Sequence, residues 1–297
     1  MRAQRSSPAS REERTGLLRR YAPCNDAKKD WCNDRHLLPS VRFNDGAAYE
    51  RMMGVWSRLA GEQFLDWLAP KQNLAWVDVG CGNGAFTELI VQRCAPHAVD
   101  GVDPSDGQLD YARKRPGTAM AAYYQGDAMA LPFGDDAFDA AVMALVIFFV
   151  PEPPRGVAEM ARVVKPGGQV AAYAWDMDGG GFPLQPVLRE LRAMGSVPQP
   201  PPHPDASRTE NLVALWQGAG LVDIETRRID VTRRFESFED FWAASTSGST
   251  VKPAVAAMTP EVLAELQRRV RAHVTMRPDG TVSYDAFANA IKGRAPG

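Results

Sequence analysis

Residues 74–84 read Leu-Ala-Trp-Val-Asp-Val-Gly-Cys-Gly-Asn-Gly, an apolar run that ends in three alternating glycines. Behind them Ala85, Phe86, Leu89, Ile90 and Cys94 recur at helical spacing, so the segment predicts a buried strand, a tight turn and an amphipathic helix. Such a unit is a nucleotide-binding corner. Gly80, Gly82 and Gly84 lack a Cβ, so the backbone can take positive φ and a ligand can approach the main chain closely. The free amides at the start of the helix face that ligand.

The glycines alone leave two cofactor classes open, because Gly80-x-Gly82-x-x-Ala85 also satisfies the dinucleotide fingerprint. Asp78 helps to separate them. A carboxylate one residue inside the strand end can accept from the turn's amides or from a ligand ammonium, whereas it repels a pyrophosphate. The competing role for Asp78 is to brace the turn and nothing more.

Around this corner the chain follows a regular course. From Asp45 to Leu68 the apolar residues fall on helical faces, and Pro70 closes the segment. Within it Tyr49 and Trp56 can either stack on a ligand or fill the core. Ala98 to Asp103 reads as a second strand ending in an acid, about twenty residues beyond the glycines, where a carboxylate can take two hydrogen bonds from a ribose diol. Ser105 and Gln108 form a capping-box signature for the next helix. Tyr123 and Tyr124 lead to Gly126-Asp127-Ala128 at the end of a third strand, where Asp127 can accept from an adenine amine while a backbone amide donates to the ring. The apolar run Ala140 to Val150 fits a fourth strand buried on both faces. A helical face at Val157, Met160, Ala161 and Val164 follows, Pro166-Gly167-Gly168 ends it, and Val170 to Trp175 reads as a fifth strand.

The order Val-Asp-Val-Gly-Cys-Gly-Asn-Gly, Val-Asp-Pro-Ser, Gly-Asp-Ala, Leu-Pro-Phe, Phe-Asp and Lys-Pro-Gly-Gly, spread over about Trp76 to Trp175, resembles the class I S-adenosylmethionine-dependent methyltransferases, small-molecule branch. The resemblance implies an α/β fold: a Rossmann-like, doubly wound, seven-stranded and mostly parallel sheet with an antiparallel last strand and helical lid insertions. It implies S-adenosylmethionine as cofactor. The methionine end would meet Asp78, Gly80 and Gly82, the ribose Asp103, and the adenine Asp127 and Ala128. Gly84 would shape the turn; apart from the resemblance, the helical lead-in offers Tyr49 as a further cofactor contact.

Composition narrows the setting. The first 40 residues carry nine Lys or Arg against five acids, a net charge of plus 4, which leaves minus 6 for the remainder of a chain whose total is minus 2. They read as a basic, disordered extension. Residues 41–297 then form the methyltransferase domain, with a cofactor-binding core at about 70–176 and substrate-lid insertions at about 177–215 and 236–277. With 45% hydrophobic and 24% charged residues the chain reads as soluble and globular, and its overall charge gives no reason to expect a nucleic-acid partner. The run Ala140 to Val150 is too short to span a bilayer and no signal-like segment is present, so no membrane association and a cytoplasmic location are expected. Cys24, Cys32 and His36 lack a fourth ligand at a zinc-like spacing, and no metal is expected.

The acceptor is expected to be a small, apolar or aromatic molecule, with Phe148, Phe149, Phe182 and Trp242 lining its pocket and Gly179 to Gly181 acting as the hinge of a lid. Neither a general base nor an oligomeric state can be assigned from His97, His203 and His273 or from the rest of the chain. Two alternatives stand beside this reading: an NAD(P)-dependent oxidoreductase, which lacks a Tyr-x-x-x-Lys pair, and a non-catalytic S-adenosylmethionine-binding protein. Methylation of nucleic-acid amines is disfavoured by Ala144-Leu145-Val146, which offers no Pro-Pro-aromatic motif.

Overall fold

A computed structural model of the chain describes residues 50–196, 199–248 and 251–297. Tyr49, the basic extension, Cys24, Cys32 and His36 lie outside the described residues. A π-helical turn, Glu50–Gly54, leads into helix α1, Val55–Leu68, which ends where Ala69 takes a left-handed conformation at φ 45°. Strand β1, Ala75–Val79, is buried along its whole length, as a central parallel strand must be when helices cover both faces. Then follow α2 (Ala85–Cys94), β2 (Ala98–Asp103), α3 (Asp106–Lys114), β3 (Ala122–Gln125), β4 (Phe138–Ala144), α4 (Pro153–Val163) and β5 (Val164–Trp175). Beyond them come α5 (Gln185–Ala193), α6 (Thr209–Gly218), β6 (Val222–Phe235), α7 (Phe238–Thr246), α8 (Lys252–Ala256), α9 (Pro260–Arg271), β7 (Thr275–Met276) and β8 (Val282–Arg294).

The strands form one sheet in the order β3-β2-β1-β4-β5-β8-β6. Pairs among β1 to β5 are parallel, and β8 runs antiparallel to both β5 and β6. This is the expected doubly wound sheet with an antiparallel last strand, to which the two-residue β7 adds an eighth member off the main path. Strand direction alternates side chains between two cores. Trp76, Val142, Ala171 and Tyr173 face α1, α2, α5 and α9 through Phe64, Ile90, Leu191 and Leu266. Val77, Ala141, Met143 and Ala172 face α4 and α6 through Met160, Leu212 and Trp216. The indole of Trp216 donates to the Val170 carbonyl at 3.1 Å, so its one polar atom is satisfied in the core.

Two expectations need correction. The apolar run after Phe138 is not one strand, because Leu145 takes φ 62° and residues Ile147–Phe149 form a 3₁₀ turn. Leu145 N still donates to Tyr173 O at 2.8 Å, so the chain leaves the ladder only after a last bond to β5. Strand β5 starts six residues before Val170, passing through Pro166-Gly167-Gly168 with Gly167 at φ 72° and a register shift against β4. Gly181 N donates to Asp176 O at 2.8 Å and Gly181 O accepts from Phe287 N at 3.0 Å, and a Cβ there would collide with the Phe287 carbonyl.

The insertion helices α5, α7 and α9 pack on the first core beside β6 and β8 through Leu188, Phe241 and Val270. Ser237 caps α7, accepting from Asp240 N at 3.1 Å. Ser237→Ala is expected to cost about 1 kcal/mol, the usual value of an N-cap, in chemical denaturation. A loss near zero would show that the cap is dispensable. No helix among the described residues is long and apolar enough to cross a membrane.

Candidate functional site

A cavity of about 680 Å³ opens at the carboxyl ends of β1, β2, β3 and β4, where the crossovers from β1 and β4 diverge and ligands bind in open α/β sheets. Its floor is the glycine turn. Gly80, Gly82 and Gly84 take φ 75°, 52° and 78°, a region that costs a residue with a Cβ. Gly80 N and Cys81 N both donate to Val102 O, at 2.7 and 3.0 Å, which ties the turn to β2. A Cβ on Gly80 would sit 2.6 Å from both methyls of Val146, so the segment after β4 closes against the turn. A Cβ on Gly82 would meet nothing within 4 Å, and Gly82 borders the cavity. Gly84 does not border it. It caps α2, and a Cβ there would lie 2.8 Å from the Tyr123 hydroxyl.

Three expected acids border the cavity at successive strand ends. Asp78 is fully buried, and its Oδ2 accepts from Thr87 Oγ1 at 2.7 Å. Its Oδ1 has no hydrogen-bond partner among the described residues. Burial pushes this carboxyl up to about 7, with the Thr87 bond opposing and the Asp103 charge adding to the rise. Asp103 Oδ2 accepts from Gly82 N at 3.0 Å and its Oδ1 from Ser105 N at 2.9 Å. Burial raises its pKa, and these two bonds restrain the rise. Each oxygen keeps a lone pair for a ligand hydroxyl. Asp127 Oδ1 accepts from Met129 N at 2.9 Å, and Asp127 and Ala128 form the rim beyond β3.

The other half of the cavity is apolar. Leu145, Val146, Phe149 and Val150 face Phe86 and Tyr173, with Ser57 of α1 at the edge. The Ser57 hydroxyl is buried and lacks a hydrogen-bond partner among the described residues. Of the four aromatics expected around an acceptor, only Phe149 borders the cavity. Its neighbour Phe148 turns into the second core, because the 3₁₀ turn sends successive side chains apart, and the two rings meet at 4.6 Å. Phe182 packs against the first core, as does Trp242, which stacks on Phe238 with centroids 6.2 Å apart. Phe86 and Tyr173 were missed by sequence reasoning. The signal for Tyr173 was its place two residues before the end of the fifth strand.

Neither described cysteine offers a ready nucleophile. Burial pushes the Cys81 thiol well up and the Cys94 thiol to about 11, so neither is a thiolate at neutral pH. Among the described residues no group of three or more His, Cys, Asp or Glu is placed to hold a metal ion. His97, His203 and His273 bond to Asn73 O, Pro151 O and Glu190 respectively, and none borders the cavity.

Residues 77–172 match the family model described as a methyltransferase domain. The chain is 34% identical over 157 residues to a malonyl-[acyl-carrier protein] O-methyltransferase of Erwinia pyrifoliae, a match covering 47% of this chain and 58% of that protein. It is 31% identical over 156 residues to a ubiquinone/menaquinone biosynthesis C-methyltransferase of Paracoccus denitrificans, covering 48% and 62%. The chain therefore spans little more than half the length of these curated relatives. The solved structure of a Haemonchus contortus phosphoethanolamine N-methyltransferase superimposes with a TM-score of 0.54 at 17% identity, over 84% of this chain and 56% of that one. At that identity the likeness is one of fold.

Proposed function

We infer, from the premise that residues 77–172 are a class I methyltransferase domain, that this chain binds S-adenosylmethionine and methylates a small, uncharged, apolar or aromatic acceptor. The observation that carries this reading is the charge of the cavity wall: Asp78, Asp103, Asp106 and Asp127 border it, with no Lys, Arg or His among the described lining residues. Such a wall repels a pyrophosphate and attracts a ligand that carries an ammonium. It therefore favours S-adenosylmethionine over a nicotinamide dinucleotide.

In this reading Asp78 Oδ1 takes the ammonium, Asp103 the ribose hydroxyls, and Asp127 the adenine amine beside the Ala128 amide. The bound cofactor supplies a methyl group already activated on sulfur, for in-line attack by the acceptor. The chain's part is then alignment and exclusion of water. Phe86, Phe149, Val146 and Tyr173 give the acceptor an apolar wall, and Ser57 offers one hydroxyl to a polar atom on it. Phe148, Phe182 and Trp242 are not proposed as acceptor contacts.

The two relatives' names point to different acceptors, a malonyl thioester and a quinone ring. The absence of a cationic side chain from the described cavity wall disfavours a malonyl carboxylate and favours the uncharged ring. The test is turnover with S-adenosylmethionine, followed by S-adenosylhomocysteine release, across phenols, hydroquinones, amines, carboxylic acids, RNA and DNA. Activity is expected with hydroquinones or phenols. Methylation of nucleic acid alone, with every small molecule inert, would refute the reading.

A further inference from the structure

Arg115 lies outside the cavity and belongs to none of the motifs, yet its guanidinium joins three elements beside the glycine turn. Nε donates to the Asn83 carbonyl at 3.1 Å, Nη1 to Glu88 Oε2 of α2 at 2.8 Å, and Nη2 to Glu50 Oε2 at 2.9 Å. Its side chain is only 14% exposed, against 39% for Glu50 and 24% for Glu88, so the guanidinium is shielded while the Glu50 carboxylate still meets water. Asn83 completes the set. It is buried, its Nδ2 donates to the same Glu50 oxygen at 3.0 Å, and its Oδ1 accepts from Ala85 N at 3.2 Å.

Two glycines that no turn requires are explained by this cluster. Gly54 is helical, at φ −53° and ψ −47°, so its backbone would accept Ala. A Cβ there would lie 2.7 Å from Glu50 Oε1, and Glu50 folds back over this gap to reach Arg115. At Gly117 a Cβ would lie 2.8 Å from the Glu88 carboxyl carbon. Both carboxylates that flank the guanidinium therefore reach it across a glycine.

We propose that Arg115, flanked by Glu50 and Glu88, is a positioning residue that fixes the cofactor turn and clasps the Glu50–Gly54 turn down beside it, and so sets how tightly and how long the cofactor is held. The turn is held from two sides. Asp103 takes the Gly82 amide from within the cavity, and Arg115 takes the carbonyl of the next residue, Asn83, from outside. Guanidinium geometry suits this task, since one planar fork serves three acceptors at once. The clasp also walls a side cavity of about 70 Å³, lined by Glu50, Glu88 and Arg115, which shares Ser57, Phe86 and Tyr173 with the main one. Loss of the clasp would free the edge next to the methyl donor.

This inference rests on the cofactor reading above, and the experiment separates the two. Dissociation constants and dissociation rates for S-adenosylhomocysteine are measured on the full chain and on Gly54→Ala, Arg115→Lys and Arg115→Met, with ligand-free melting temperatures alongside. Arg115→Met is expected to weaken binding about tenfold, mostly through faster dissociation, and Arg115→Lys to fall between, because an ammonium cannot serve three fixed acceptors. Gly54→Ala is the discriminating variant. Alanine favours a helix over glycine, so its ligand-free melting temperature is expected to hold or rise while affinity drops about fivefold as Glu50 is pushed aside. A purely structural role would move the two together. An affinity within twofold of wild type in either Gly54→Ala or Arg115→Met, or a Gly54→Ala loss that tracks a fall in melting temperature, would overturn the proposal. Failure of the wild type to bind S-adenosylhomocysteine would instead remove the cofactor reading on which it rests.

Discussion

Replacing Asp103 by Ala is expected to weaken S-adenosylmethionine binding by about 1.5 to 3 kcal/mol, the range for hydrogen bonds to a charged group, which is roughly 10- to 150-fold in affinity. The loss has two sources. The proposed ribose contact disappears, and so do the bonds that Asp103 accepts from Gly82 N and Ser105 N, which hold the turn and the start of α3. Asp103→Asn separates them, because an amide oxygen can still accept from one backbone amide while the charge is gone. Calorimetric titration reads both variants. An unchanged affinity in Asp103→Ala would move the ribose contact to another residue.

The second large effect concerns pH. Burial pushes Asp78 up to about 7, while a carboxyl in an unfolded chain titrates near 3.9. Between those values the folded state binds the extra proton, so Asp78 favours folding most below about pH 4 and this contribution is lost as pH rises through about 7. Ligand binding runs the other way. An ammonium needs the ionised carboxylate, so affinity should climb as pH rises towards 7, then fall above about 8 when an α-amino group loses its own proton. Asp78→Asn should abolish the acid limb, weaken binding at pH 7.5 by more than about tenfold, and hold or raise the ligand-free melting temperature at pH 8. An acid limb that persists in Asp78→Asn would show that another group titrates.

What was legible in the sequence was local. The glycines, Asp103 at the tip of β2 and Asp127 after β3 owe their positions to turn chemistry and strand length, and the structure brings Gly80, Gly82, Asp103 and Asp127 to one cavity. Ser105 sits at the helix start that its capping-box signature implies. Side-chain direction after a strand was not legible. Phe148 and Phe149 are adjacent and equally apolar, and only the left-handed Leu145 and the 3₁₀ turn decide which one meets the cavity. The full length of β6 was not legible, because its first half is largely exposed and only Ile229, Val231 and Phe235 in its second half turn into the core. The Arg115 cluster was hidden for another reason: Glu50 lies 65 residues away, and nothing local connects the two.

Parallel calorimetric titrations with S-adenosylmethionine and NAD on the full chain at pH 7.5 test the central claim most directly. Saturable binding of S-adenosylmethionine with no heat from NAD is the expected result, given a cavity wall that is acidic and carries no cationic side chain among the described residues. Binding of NAD without S-adenosylmethionine would contradict it.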